Sequence, residues 1–190
     1  MESQVGSLRR PPLNHLANWG FTYLPAVTLV GEPDPAEVTG TMSGTRVVIA
    51  DDDVLLREGL ASLLERASFE VIGQAGTGTE LLGLVRRHLP DLAIVDIRMP
   101  PTYSTEGLEA AQAIRQELPE TAILVLSAHV DVEHAMQLLA SGHRVGYLLK
   151  SRVTNVDEFI DTLERVAKGG SVVDPALVQE LFGARRRRDP

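Results

Sequence analysis

Five short apolar runs rich in β-branched residues recur through the middle of the chain, at residues 47–50, 71–73, 92–95, 123–126 and 145–149. They end near residues 50, 75, 95, 126 and 149, at intervals of 20 to 31 residues. Each interval is the length of one strand and its returning helix. Apolar and polar residues do not alternate within the runs, so each strand requires cover on both faces, as in a parallel sheet. The stretches between them carry helical stripes. Leu56, Leu60, Leu63, Leu64 and Ala67 fall on one face, with Arg57, Glu58, Glu65 and Arg66 elsewhere. Val156, Phe159, Ile160, Leu163, Val166 and Ala167 form a second stripe, preceded by Asn155 and Glu158 at capping-box spacing. Pro90, Pro119, Gly142 and the Gly169-Gly170 pair mark helix ends. Five βα units with right-handed crossovers give an α/β fold: a doubly wound, five-stranded parallel sheet with helices on both faces.

The flanks break this rhythm. Residues 1–43 contain Pro11, Pro12, Pro25, Pro33 and Pro35 without a sustained period, and read as a disordered leader. Residues 44–170 form the folded unit. Residues 171–190 read as a linker-like tail, with a short helix from Pro175 to Phe182 and a solvated Arg185 to Arg188 run. The chain carries 26 acidic and 18 basic side chains, and the excess belongs to the middle block, which disfavours nucleic acid as its partner. The absence of cysteine excludes disulfides, thiol catalysis and thiolate metal sites. No apolar run approaches the roughly 20 residues that span a bilayer, so no membrane role and a cytoplasmic location are expected.

Ligands of open α/β sheets bind at the carboxyl ends of the strands. There the sequence places Asp51, Asp52 and Asp53 after the first strand, Asp96 after the third, Ser127 after the fourth and Lys150 after the fifth. Each has an ordinary explanation when taken singly. Asp53 suits a helix cap, Ser127 a turn, and Lys150 a solvated surface. Together they form one edge of complementary charge. Clustered carboxylates stay ionised only with a cation among them, and a hard, oxygen-loving Mg²⁺ fits that need where phosphate is handled. A lysine adds a second positive point, a hydroxyl can donate to a phosphate oxygen, and one carboxylate remains to attack phosphorus. Asp96, alone at the end of the central strand, suits that role.

The segments VVIADD (47–52), IVDIRMP (94–100), LSA (126–128) and GYLLK (146–150) resemble, in order and spacing, the receiver domain of bacterial two-component response regulators over residues 44–170. The resemblance implies a flavodoxin-like strand order 2-1-3-4-5. It implies Asp96 as phosphoacceptor, Mg²⁺ held by Asp52, Asp96 and the backbone carbonyl of Arg98, and Asp51 acting through water. Ser127 and Lys150 would contact the phosphoryl group, with Tyr147 as a rotating aromatic switch. A sensor histidine kinase is the implied donor and homodimerisation on phosphorylation an implied consequence. The domain would catalyse only its own phosphorylation and dephosphorylation, so it is not an enzyme in the metabolic sense.

Ser151 follows Lys150 where many receivers have a cis-proline, and Arg57-Glu58-Gly59-Leu60 lies in the first helix. Both resemble the LuxR/NarL-type subfamily, whose regulators carry a helix-turn-helix. No recognition helix is legible here, so DNA binding is not expected from this chain itself. The loop 100–106 (PPTYSTE) is a few residues longer than the family form. It reads either as a tolerated surface insertion or as a modifier of kinase choice and phosphate lifetime. Two other readings stand beside the phosphorylation switch. One is a receiver-like interaction module that is never phosphorylated. The other is an aspartyl-phosphate phosphatase using Asp51 and Asp53, although Val54-Leu55 supplies no hydroxyl where such an enzyme needs one.

Overall fold

Central strands buried on both faces leave a parallel sheet little choice but to sit between helices, and the computed structural model has that form. It describes residues 27–28, 44–140 and 142–186. In chain order the elements are β1 (Val27–Thr28), β2 (Arg46–Ala50), α1 (Val54–Arg66), β3 (Glu70–Ala75), α2 (Gly78–His88), β4 (Leu92–Asp96), α3 (Glu106–Glu117), β5 (Ala122–Ser127), α4 (Val132–Leu139) and β6 (Val145–Leu149). A 3₁₀ turn (Lys150–Thr154), α5 (Val156–Ala167), β7 (Ser171–Val173) and α6 (Pro175–Arg186) follow.

The sheet runs β1-β7-β6-β5-β4-β2-β3, with every pairing parallel except β1 against β7. The five expected strands, β2 to β6, therefore lie in the order 2-1-3-4-5. A sixth parallel strand extends them: Val145 to Tyr147 of β6 register with Ser171 to Val173 of β7. The sequence reading leaves those three residues in the tail, because a three-residue run after two glycines carries too little period to declare a strand. Val27 and Thr28 pair antiparallel with Val173 and Val172. The rest of the leader, with its expected disorder, lies outside the described residues.

Alternate residues along each strand feed two cores. Val48, Val95, Val125, Tyr147 and Val173 pack with α2, α3, α4 and α6 on one face. Ile49, Ile94, Leu124, Leu148 and Val172 pack with α1 and α5 on the other. The α1 stripe buries Leu60 and Leu64, and the α5 stripe buries Phe159, Leu163 and Val166. Val156, counted in that second stripe, is exposed. Asp53 caps α1 as expected, accepting from the amides of Leu55 and Leu56 at 2.9 and 3.1 Å. The capping box at α5 does not form. Asn155 makes no side-chain cap, and its amide nitrogen donates to Glu158 Oε2 at 2.8 Å. An amide can donate as well as accept, and a carboxylate three residues on draws the donor end. The tail helix is observed and runs past Phe182 to Arg186.

Candidate functional site

Because β2 and β4 are adjacent and parallel, their carboxyl ends emerge side by side. Asp96 is the last residue of β4, and Asp51 and Asp52 follow β2. Asp51 and Asp96 are buried, and one carboxylate oxygen from each of Asp51, Asp52 and Asp96 lies within 4.8 Å of the others. Lys150, entering from the end of β6, sets its Nζ 2.8 Å from Asp51 Oδ2 and 3.0 Å from Asp96 Oδ2. The contact with Asp51 is an ion pair by distance but not an aligned hydrogen bond, for Asp51 Oδ2 is buried and has no hydrogen-bond partner.

Electrostatics follow from this crowding. Burial raises the Asp96 carboxyl above the ordinary aspartate value; Lys150 pulls it back, and the charges of Asp51 and Asp52 push it further up. Burial alone would lower Lys150, but its contacts with Asp51 and Asp96 outweigh that, and the ammonium is held above its ordinary value. The donor set is all oxygen and carries excess negative charge, three carboxylates facing one ammonium. It fits a hard divalent cation such as Mg²⁺.

Ser127, at the end of β5, does not turn to the carboxylates. Its hydroxyl donates to His129 O at 2.7 Å and accepts from His129 N at 3.3 Å. Tyr147, fully buried in β6, donates to the same His129 O and accepts from Asp131 N, both at 3.2 Å. The two expected switch residues thus share one carbonyl oxygen. Arg98 is exposed between buried Ile97 and Met99, so its backbone is fixed by its neighbours rather than by its own side chain.

The long loop folds back on Glu106. That carboxylate takes the Thr102 hydroxyl and the amides of Thr102 and Ser104, each amide at 2.9 Å. The Thr102 hydroxyl leads the bonds that hold the Glu106 carboxyl down to about 2. Immediately beyond it, Gly107 donates to Ile97 O at 2.9 Å. A Cβ at Gly107 would stand 2.8 Å from the carbonyl carbon of Asp96, so α3 abuts the end of β4.

Three further groups escape the sequence reading. Arg57 reaches from α1 to Asp51 O at 2.5 Å and to Gln74 Oε1 at 3.2 Å. Asp174 is fully buried and forms a two-bond pair with Arg152 at 3.0 and 3.1 Å. The Asp-Pro step opening α6 was the one signal for Asp174, since aspartate before a first-turn proline is a capping pattern.

A buried acidic cluster bridged by lysine at the carboxyl edge of such a sheet defines a class, and the chain belongs to it: residues 47–163 match the response regulator receiver domain family. Within that family it is of the LuxR/NarL type. It is 38% identical over 161 residues to the transcriptional regulatory protein NarL of Mycobacterium tuberculosis, covering 84% of this chain and 68% of that protein. It is 34% identical over 143 residues to DegU of Brevibacillus brevis, covering 75% of this chain and 58% of the relative. Among solved structures, the NarL receiver domain of M. tuberculosis superposes with a TM-score of 0.58 at 35% identity, covering 66% of this chain and 98% of that one. A LuxR-family regulator from Aurantimonas sp. SI85-9A1 gives 0.64 at 28% identity, covering 75% and 99%. Among the described residues, no helix is long and apolar enough to cross a membrane.

Proposed function

We propose that the chain is a phosphorylation switch in which Asp96 accepts a phosphoryl group from the phosphohistidine of a sensor kinase in the cytoplasm. The observation that carries this reading is the bridge from Lys150 to Asp51 and Asp96 at 2.8 and 3.0 Å, inside a cluster of three carboxylates. Asp52, Asp96 and the Arg98 carbonyl would hold Mg²⁺, with Asp51 through water. The ion supplies charge neutralisation for an incoming phosphate. Asp96 supplies the attacking oxygen, and a bond forms from it to phosphorus as the bond to the donor breaks. Lys150, held protonated, stands ready to leave its carboxylate partners for a phosphoryl oxygen. Ser127 exchanges its bond to His129 O for a second phosphoryl oxygen. That frees one acceptor site on the carbonyl that also holds Tyr147, and the surface around α4 changes with it.

In this reading residues 44–170 are the switching unit, and its output is an altered protein-contact surface with homodimerisation on phosphorylation. The relatives are transcriptional regulators longer than the matched region, and regulation of transcription would belong to such a whole protein.

Intact mass after incubation with acetyl phosphate and Mg²⁺ tests the assignment. The expected result is a metal-dependent gain of one phosphoryl group in the wild type and none in Asp96→Ala. Equal labelling of both proteins, or of neither, refutes it.

A further inference from the structure

Among the described residues, one buried charged group takes no part in the proposed phosphoryl transfer. Asp174, between β7 and α6, has no exposed surface. Its Oδ2 accepts from the Leu149 amide at 3.1 Å and from Arg152 Nε at 3.0 Å. Its Oδ1 accepts from Arg152 Nη2 at 3.1 Å and from the Ala176 amide at 2.9 Å. Its own amide donates to Tyr147 O at 2.8 Å. A buried carboxylate is costly unless fully bonded, and this one has four donors. Burial would raise its pKa, but Arg152 and the two amides outweigh that and hold it below the ordinary value. It is a fixed anion.

Three of the four donors, one from Leu149 and two from Arg152, come from residues that bracket Lys150. Leu149 is the residue before it and Arg152 is two residues after it, on a 3₁₀ turn with no side-chain cap of its own. A lysine stem is a flexible four-carbon chain. Such a chain can hold its ammonium within 3.0 Å of carboxylates at the ends of two different strands only if the backbone at its root does not wander. The geometry points to Asp174 as a positioning residue for Lys150: by gripping Leu149 and Arg152 with one carboxylate, it fixes the root of the lysine so that the ammonium meets Asp51 and Asp96. This rests on the role proposed above for Lys150 in phosphoryl transfer. The same carboxylate caps α6 through Ala176, so the turn carrying the lysine and the start of the C-terminal helix share one anchor.

The test uses the full chain, acetyl phosphate and Mg²⁺. Initial rates of phosphoryl gain are measured for wild type, Asp174→Asn and Arg152→Lys, each also in a Lys150→Met background, alongside Mg²⁺ affinity by calorimetry. Misplacement of a reacting group by about an ångström can cost up to about 100-fold in rate, so a loss of roughly tenfold or more is expected in the otherwise wild-type background. Mg²⁺ affinity should be unchanged or tighter, because the metal carboxylates sit at the ends of other strands and the lysine competes for their oxygens. In the Lys150→Met background neither substitution should slow the reaction further. An equal fold-loss in both backgrounds, or weakened Mg²⁺ binding, would mean that Asp174 merely supports the fold, and overturns the inference. So would wild-type rates in both variants. Arg152→Lys keeps the charge and carries the test if Asp174→Asn does not fold. A wild type that takes no phosphoryl group overturns the reading of the site, and this inference with it; a labelled wild type with unaffected variants overturns this inference alone.

Discussion

Gly107→Ala adds one methyl group at the contact between α3 and β4. The new Cβ would lie 2.8 Å from the carbonyl carbon of Asp96 and 3.0 Å from the carbonyl oxygen of Ile97, and closer still to the carbonyl oxygen of Asp96. Non-bonded contacts settle at roughly 3.5–4.0 Å between carbons, and the Asp96 carbonyl oxygen is the tightest neighbour, so the helix must retreat by well over an ångström, against backbone that has no rotamer to change. Overpacking of this kind costs about 1–3 kcal/mol. The retreat also strains the bond from Gly107 N to Ile97 O, for about 1 kcal/mol more. Taken together the loss is about 3 kcal/mol, or about 10 °C in Tm for a chain of this size. Gly83→Ala is the matched control. Gly83 lies in α2, is exposed, and nothing stands within 4 Å of its added Cβ. There alanine should stabilise the helix by about 0.5–1 kcal/mol. Thermal melts of the three proteins by circular dichroism give the signs directly. The phosphorylation rate of Gly107→Ala should fall as well, because Asp96 is the residue displaced. A Gly107 variant that melts with the wild type, or two variants that shift alike, would refute the packing argument.

Asp96→Asn should stabilise the metal-free protein at pH 7. Burial raises the Asp96 pKa in the folded state, so between the unfolded value of about 3.9 and the folded value the native protein binds more protons, and stability falls as pH rises. The gain from Asn should be present above the folded pKa and fade below about pH 4. Urea unfolding across that range checks it, and an Asn variant less stable than wild type at pH 7 would contradict it. Tyr147→Phe keeps the ring but removes the hydroxyl that donates to His129 O and accepts from Asp131 N. A loss of about 1–2 kcal/mol is expected in the same assay, and an unchanged urea midpoint would argue against those bonds.

The strands and the charged edge were legible because both are local signals. A buried parallel strand is a continuous apolar run, and the polar residue ending it stands out: Asp51 after VVIA, Asp96 after LAIV, Lys150 after VGYLL. The fold then collects those ends without further information from the sequence. What could not be read is pairing at a distance. Arg57 meets the carbonyl of Asp51 rather than an acidic side chain, and no residue type announces a backbone acceptor. Arg152 and Asp174 are 22 residues apart, with a helix and a strand between them. In one dimension each is an ordinary surface charge. β7 escaped for a related reason, since Ser171–Val173 becomes a strand only where the edge of β6 is free to receive it. The absent capping box at Asn155 is the converse, a correct spacing that the side chains resolved another way.

The charge balance at the edge shows why the site needs more than its lysine. Three ionised carboxylates against one ammonium leave the four side chains with an excess of two negative charges. Lys150 spans only two of the acids, and Asp51 Oδ2 remains without an aligned donor. Burial, compounded by Asp51 and Asp52, leaves Asp96 above its ordinary pKa even with the ammonium at 3.0 Å. A divalent cation held by Asp52 and Asp96 would supply the missing charge. In the proposed switch the ammonium could then turn toward an arriving phosphate without stranding a buried carboxylate, which would otherwise cost several kcal/mol. The lysine would there be a placeholder as much as a phosphate ligand, and such a dual use would demand a fixed root. That requirement connects the chemistry at the end of β4 to the anchor at Asp174, and through it to α6.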